Sequence, residues 1–202
     1  MTIPVYLVDD DAAVREALCL LLSTVDIPAR AFPGPEEFLR DVGSLKPGCL
    51  IVDIRMPAIS GLKLQERLHA NGIDWPTVVI SGHGDIEACR KAFRNGAIDF
   101  LSKPVDEQDL IDAIQKGQAA LVKNFQQQAE RSETLALMER LTGREKEILG
   151  LVARGFATRQ IADALSLSPR TVESHRSAIG SKLGTTSPVE LTRIWIDANG
   201  DP

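Results

Sequence analysis

The sequence predicts an α/β unit built on a parallel five-stranded sheet, followed by an all-α unit of four helices. Two observations carry this expectation. Five short apolar runs, most without alternation, recur through residues 1–122, each followed by a helix-length segment, as strands buried on both faces require. From Leu141 onward the apolar residues recur at helical spacing, with caps and stops at the boundaries. A length of 202 residues suits two compact units rather than one or three.

The candidate strands are 5–8, 28–32, 49–52, 77–81 and 98–102. Helix starts are marked by Asp11 before Ala12, Pro35 opening Glu36-Glu37-Phe38, Ser60 before Gly61-Leu62, and Asp106 before a long amphipathic run. Asn71-Gly72 and Asn95-Gly96 read as left-handed helix stops. Five strand–helix units in this order imply an open, mostly parallel sheet with helices on both faces. Residues 123–138, which include Gln126-Gln127-Gln128 and no Pro or Gly, read as a helical linker. In 139–202, Thr142 and Glu145 form a capping box. Thr158 is expected to cap a short helix with Ile161 and Leu165 inward. Ser168-Pro169 opens the next helix, which ends at Leu183-Gly184, and a last helix covers 188–196.

Charge divides the chain in the same place. Residues 1–122 hold 12 Lys and Arg against 18 Asp and Glu, whereas 139–202 hold nine against eight. Within that tail, 154–182 carries five basic and two acidic residues, a local excess of +3. This is a modest field for a polyanion: if the tail binds DNA, one copy is expected to bind weakly. No stretch reaches the roughly 18 uncharged apolar residues of a membrane span. Acids at 9, 10 and 11 come too early for a secretion signal. Three cysteines, Cys19, Cys49 and Cys89, form no metal pattern and suit a reducing cytoplasm, the expected location.

In an open parallel sheet, chemistry gathers beyond the carboxyl ends of the strands. Asp9-Asp10-Asp11 follows the first strand, Asp53 the third, Ser81-Gly82-His83-Gly84 the fourth and Lys103-Pro104 the fifth. Carboxylates this close repel one another and call for a cation; few, hard oxygen ligands with room for water favour Mg²⁺. Such a set suits phosphoryl transfer to a carboxylate, with the lysine pairing a phosphoryl oxygen. Simpler readings exist for each residue: Asp11 reads as a helix cap and His83, between two glycines, as a loop residue. A turn acid at Asp53 and a solvated lysine at Lys103 are the plain alternatives there.

The segment 170–183, placed on a wheel at about 100° per residue, puts Val172, Ile179 and Leu183 on one inner stripe. Arg170, Ser174, Ser177 and Ser181 fall opposite, and Thr171, Ala178 and Lys182 flank one side. A short polar face lets a helix sit deep in a major groove, with Arg170, Thr171 and Lys182 suited to phosphates. His175 lies about 60° from the inner stripe, which suits packing or a backbone bond, and Arg176 is nearer still. Its stem is expected on the core and its head on a phosphate or an acid. The plain alternative is a solvent-exposed helix of a four-helix bundle.

Leu7-Val8-Asp9-Asp10-Asp11, Val52-Asp53-Ile54-Arg55-Met56-Pro57 with Ser60-Gly61, Ile80-Ser81-Gly82-His83-Gly84 and Phe100-Leu101-Ser102-Lys103-Pro104 resemble the receiver domain of two-component response regulators. The resemblance covers 1–122 and is closest to the FixJ-type branch. It implies a flavodoxin-like (βα)5 fold with Asp53 as phosphoacceptor for a sensor histidine kinase. Mg²⁺ would be held by Asp10, Asp53 and the Arg55 carbonyl, with Asp9 acting mainly through water. Lys103 would hold the phosphoryl group, while Ser81 and Phe100 would form the switch pair. The receiver would catalyse only its own Mg²⁺-dependent phosphorylation and dephosphorylation.

Leu141-Thr142-Gly143-Arg144-Glu145, Gln160-Ile161-Ala162, Ser168-Pro169-Arg170-Thr171-Val172-Glu173-Ser174-His175 and Lys182-Leu183-Gly184 are similar to the LuxR-type helix-turn-helix. That implies promoter recognition by a homodimer formed on phosphorylation, pairing around residues 88–103, and RNA polymerase as a further contact. Thr158, Arg170, Thr171, Glu173, Ser174, Ser177 and Lys182 are the DNA-binding candidates, with His175 and Arg176 as candidate backbone contacts. Gly180 departs from the larger apolar residue usual there: it either loosens the helix end or admits a close neighbour. Two other functions fit less well. A phosphatase with Asp53 as nucleophile lacks an acid at position 55, which is Arg. A receiver serving only as an interaction module leaves Asp10, Asp53, Ser81 and Lys103 without a purpose.

Overall fold

The structure is a computed structural model that describes residues 3–82 and 86–199. His83 and Gly84 lie outside the described residues. Two compact units divide at Asn124 and Phe125. The first contains β1 (Val5–Val8), α1 (Ala12–Thr24), β2 (Ala29–Phe32), α2 (Pro35–Asp41), β3 (Cys49–Asp53), α3 (Gly61–Ala70), β4 (Thr77–Ser81), α4 (Ile86–Arg94) and β5 (Ala97–Ser102). A long helix, α5 (Glu107–Glu139), follows and includes residues 123–138.

All strand pairs are parallel, in the order β2-β1-β3-β4-β5. The two faces are separate cores because neighbouring side chains on a strand point opposite ways. Tyr6, Val8, Leu50, Val52 and Val79 join Phe32, Phe38, Leu64 and Leu68 on one face. Val5, Leu7, Ile51, Val78 and Ile80 join Leu18, Leu22, Leu110 and Ile114 on the other. Both faces of the three inner strands are covered, so their sequences carry no polar alternation. The edge strands are less buried.

Strand β2 begins at Ala29 because Pro28 has no N–H for the ladder; its carbonyl still accepts from Val5 N at 2.9 Å. The helix starts at Asp11, Ser60 and Asp106 are side-chain caps, with Asp11 accepting from Ala13 N at 2.8 Å and Ser60 from Lys63 N at 3.3 Å. Gly72 and Gly96 adopt positive φ after α3 and α4.

The second unit packs α6 (Gly143–Ala153), α7 (Thr158–Leu165), α8 (Pro169–Leu183) and α9 (Pro188–Asn199) around Ile148, Leu149, Ile161, Val172, Ile179 and Leu183. The Thr142–Glu145 capping box is present in full. One expected cap is corrected. Ala157, extended at φ −73° and ψ 156°, is the residue before α7, and Thr158 is its first helical residue. Gln160 Oε1 accepts from Ala157 N at 2.8 Å, the half of a capping box that needs no hydroxyl at the cap position.

Candidate functional site

The parallel register places the ends of β1, β3, β4 and β5 side by side. Val8 pairs with Val52, Asp53 with Ile80, and Ser81 with Ser102. Asp53 closes β3, and Asp9 follows β1 directly; they are 4% and 1% exposed. Lys103 follows β5 and reaches between them, its Nζ 2.7 Å from Asp9 Oδ2 and 2.7 Å from Asp53 Oδ1. The other carboxylate oxygens accept backbone donors: Arg55 N to Asp53 Oδ2 at 2.6 Å, and Asp11 N to Asp9 Oδ1 at 2.9 Å.

Burial raises the Asp53 carboxyl above its usual range; the hydrogen bond and charge of Lys103 pull it down, and the Asp9 charge adds to the rise. Burial also opposes the Lys103 charge, yet its hydrogen bonds to Asp53 and Asp9 win and raise its pKa. One ammonium thus faces two buried carboxylates, which leaves a net negative charge at the sheet end. Asp10 is exposed beside them. Among the described residues no three acidic, His or Cys side chains are gathered as a ready metal cage. The donors on offer are nonetheless all oxygen, and the excess charge is of the sign that a hard cation balances.

Ser81 is buried at the end of β4, and its carbonyl accepts from Lys103 N at 2.7 Å. Phe100 is half-buried on β5 and packs against the core that holds Phe38 and Val79. Two further residues position this site: Arg15, which carries no pattern signal, and Gly61, which the sequence marks only as part of the Ser60-Gly61 motif. Arg15 Nη1 donates to the Asp9 carbonyl at 2.7 Å. A Cβ on Gly61 would stand 2.1 Å from the Asp53 carbonyl oxygen, so only glycine lets α3 start against the end of β3.

In the second unit, α7 and α8 flank a turn in which Ser166 takes the left-handed conformation, and Ser168 caps α8. Val172, Ile179 and Leu183 are buried, and Arg170, Glu173, Ser174, Ser177 and Ser181 are exposed. Thr171 is half-buried, its hydroxyl 2.8 Å from that of Ser168. His175 is half-buried, and so is Arg176, whose head lies 3.4 Å from the Thr158 hydroxyl. Thr158 donates in turn to Glu173 Oε1 at 2.6 Å.

Lys182, the expected phosphate contact, is engaged within the unit. Its ammonium is held at 2.6 and 2.9 Å by Glu145, itself 4% exposed, on the capping turn of α6. That hydrogen bond, with those from Thr142, lowers the Glu145 pKa despite burial. Gly180 has an explanation in close approach. A Cβ there would lie 2.8 Å from the Thr186 methyl and 3.3 Å from the Thr185 carbonyl, so the α8–α9 loop of the same chain is the near neighbour.

Comparison with known proteins accords with both regions. Residues 5–115 match the response regulator receiver domain, and 139–195 match the bacterial regulatory proteins of the luxR family. The response regulator protein TmoT of Ectopseudomonas mendocina is 41% identical over 190 residues, covering 94% of this chain and 86% of that one. The transcriptional regulatory protein FixJ of Azorhizobium caulinodans is 36% identical over 201 residues, 100% of this chain and 95% of its own. Among solved structures, the response regulator StyR has a TM-score of 0.81 at 38% identity, covering 96% of this chain and 98% of that one. Full-length FixJ from B. japonicum has a TM-score of 0.61 at 30% identity, with 96% and 95% covered. The chain therefore belongs to the transcriptional response regulators that join a receiver domain to a LuxR-family DNA-binding domain.

Proposed function

We propose that Asp53 accepts a phosphoryl group from a sensor histidine kinase and that the modified receiver pairs two chains on promoter DNA. The observation that carries this reading is the placement of Lys103 at 2.7 Å from both buried carboxylates. An Asp53 oxygen attacks phosphorus in line, the bond to the donor imidazole breaks, and that imidazole takes up a proton. Lys103 moves its ammonium from the carboxylates to a phosphoryl oxygen, and the Ser81 hydroxyl donates to another. Asp10, Asp53 and the Arg55 carbonyl, with Asp9 through water, would hold Mg²⁺, which when bound neutralises phosphoryl charge. Phe100, with no hydroxyl of its own, then signals by changing how it packs.

The pairing surface is the α4–β5 face. Ile86 and Phe93, one above the other on α4, are 71% and 49% exposed, an apolar pair that a second copy would cover. Two tethered DNA-binding units then bind with a raised effective concentration, which offsets their modest charge. On DNA, α8 enters the major groove with Arg170, Glu173, Ser174 and Ser177 outward, while Thr158 and Thr171 face its margins. Lys182 keeps a structural part in that arrangement. A phosphatase is not favoured, since Arg55 offers Asp53 a backbone N–H at 2.6 Å and no acid. Incubation with acetyl phosphate and Mg²⁺, followed by intact mass and gel shift, tests the proposal. One stable phosphoryl group, dimerisation and tighter promoter binding are expected; equal promoter affinity for phosphorylated protein and Asp53→Asn would reject it.

A further inference from the structure

Glu173 is an anion on the helix face that must meet a polyanion. Its carboxylate is exposed and held: Thr158 donates to Oε1 at 2.6 Å, and Arg176 Nη1 approaches the same hydroxyl at 3.4 Å. The single hydroxyl proton of Thr158 is directed to Glu173, because the guanidinium has only donors to offer the hydroxyl oxygen. Glu173 Oε2 makes no other hydrogen bond among the described residues. On the exposed face of α8, Ser174 and Ser177 on one side of Glu173 are short, and the long side chain there is the cation Arg170, one turn earlier.

From this geometry we infer that Glu173 selects a cytosine in each half-site, and that Thr158 is the positioning residue that aims it. The inference rests on the DNA-binding reading of α8. Guanine and thymine present acceptors to the major groove where an acceptor-only carboxylate would sit, so both are repelled. Adenine offers an amino donor beside the N7 acceptor, a pair that an amide satisfies and a carboxylate meets only in part. Cytosine presents its N4 amino group alone, and that is the edge a carboxylate reads. Thr158 reduces the choice further, since a carboxylate with one oxygen fixed has a single direction for the other.

The test uses the full chain phosphorylated with acetyl phosphate. Duplexes are selected from a random library, and binding is then measured by fluorescence anisotropy with each selected cytosine changed to thymine. Wild type is expected to lose roughly tenfold in affinity at one cytosine per half-site, and Glu173→Ala to tolerate either base within roughly twofold. Thr158→Val should blunt the preference, and Thr158→Ser, which restores the hydroxyl, should recover it. A merely structural role for Thr158 would alter affinity equally for both bases. If Glu173→Ala enriches the same sequence with the same discrimination, the inference is overturned while DNA binding stands. If wild type enriches no sequence at all, both the inference and the DNA-binding reading fail.

Discussion

The two units each contain a lysine ammonium brought to acidic side chains of low exposure, and the stoichiometry differs. Lys182 meets one glutamate, through both oxygens at 2.6 and 2.9 Å, and the charges cancel. Lys103 meets two aspartates at 2.7 Å each and leaves one negative charge over. Glu145 is further satisfied by the backbone N–H of Thr142 at 2.7 Å. A balanced pair ties α6 to α8 and leaves no net charge to attract a ligand. An unbalanced trio is a site waiting for positive charge or for chemistry that rearranges its own.

The largest effect expected from this contrast is all or none. Asp53→Ala should abolish the mass gain with acetyl phosphate and Mg²⁺, whereas Glu145→Ala should leave it intact. Second, Lys103→Met leaves Asp9 and Asp53 buried without their cation. Breaking such a pair costs about 3–5 kcal/mol when fully buried, so with Lys103 one-quarter exposed about 2–3 kcal/mol is expected in urea unfolding. Mg²⁺ in the buffer should recover part of that loss.

Third, Glu145→Gln should lower the stability of the second unit by about 1–2 kcal/mol, through the lost ion pair and weakened cap. It should also change the pH dependence. Because the folded Glu145 pKa is lowered, its contribution is complete above the ordinary glutamate range and disappears as pH falls through the lowered folded value. The Gln variant should lack this acid loss in thermal melts. The smallest effect concerns Gly180. Alanine would favour the helix by about 0.5–1 kcal/mol, yet the 2.8 Å approach to the Thr186 methyl should cancel that gain or reverse it. Thr186→Ser removes the methyl, and in that background Gly180→Ala should raise Tm.

The balance between legible and hidden features follows from range. Parallel strands buried on both faces announce themselves as plain apolar runs, so the sheet and the residues at its ends could be located from sequence. The helix starts at Asp11, Ser60 and Ser168 are equally local, each a side chain bonding a backbone N–H two or three residues on. Glu145 was legible only as half of a capping box. Its second partner, Lys182, lies 37 residues away, and helical spacing on α8 says which side Lys182 occupies but not what stands there. Arg15 on the Asp9 carbonyl was hidden likewise, since a side chain reaching a backbone acceptor leaves no pattern. Threonine is common at caps and so points to Thr158, while the backbone puts the extended residue one position earlier.

The contact at Gly61 bears on how this chain can vary. The backbone of α3 begins so near the Asp53 carbonyl that the smallest side chain would overlap it at 2.1 Å, with the Val52 methyl at 2.8 Å behind. Neither neighbour can retreat, one being main chain and the other core. A library randomised at this codon and screened for folded protein should return glycine alone, a constraint that originates in crowding rather than in any reactive group.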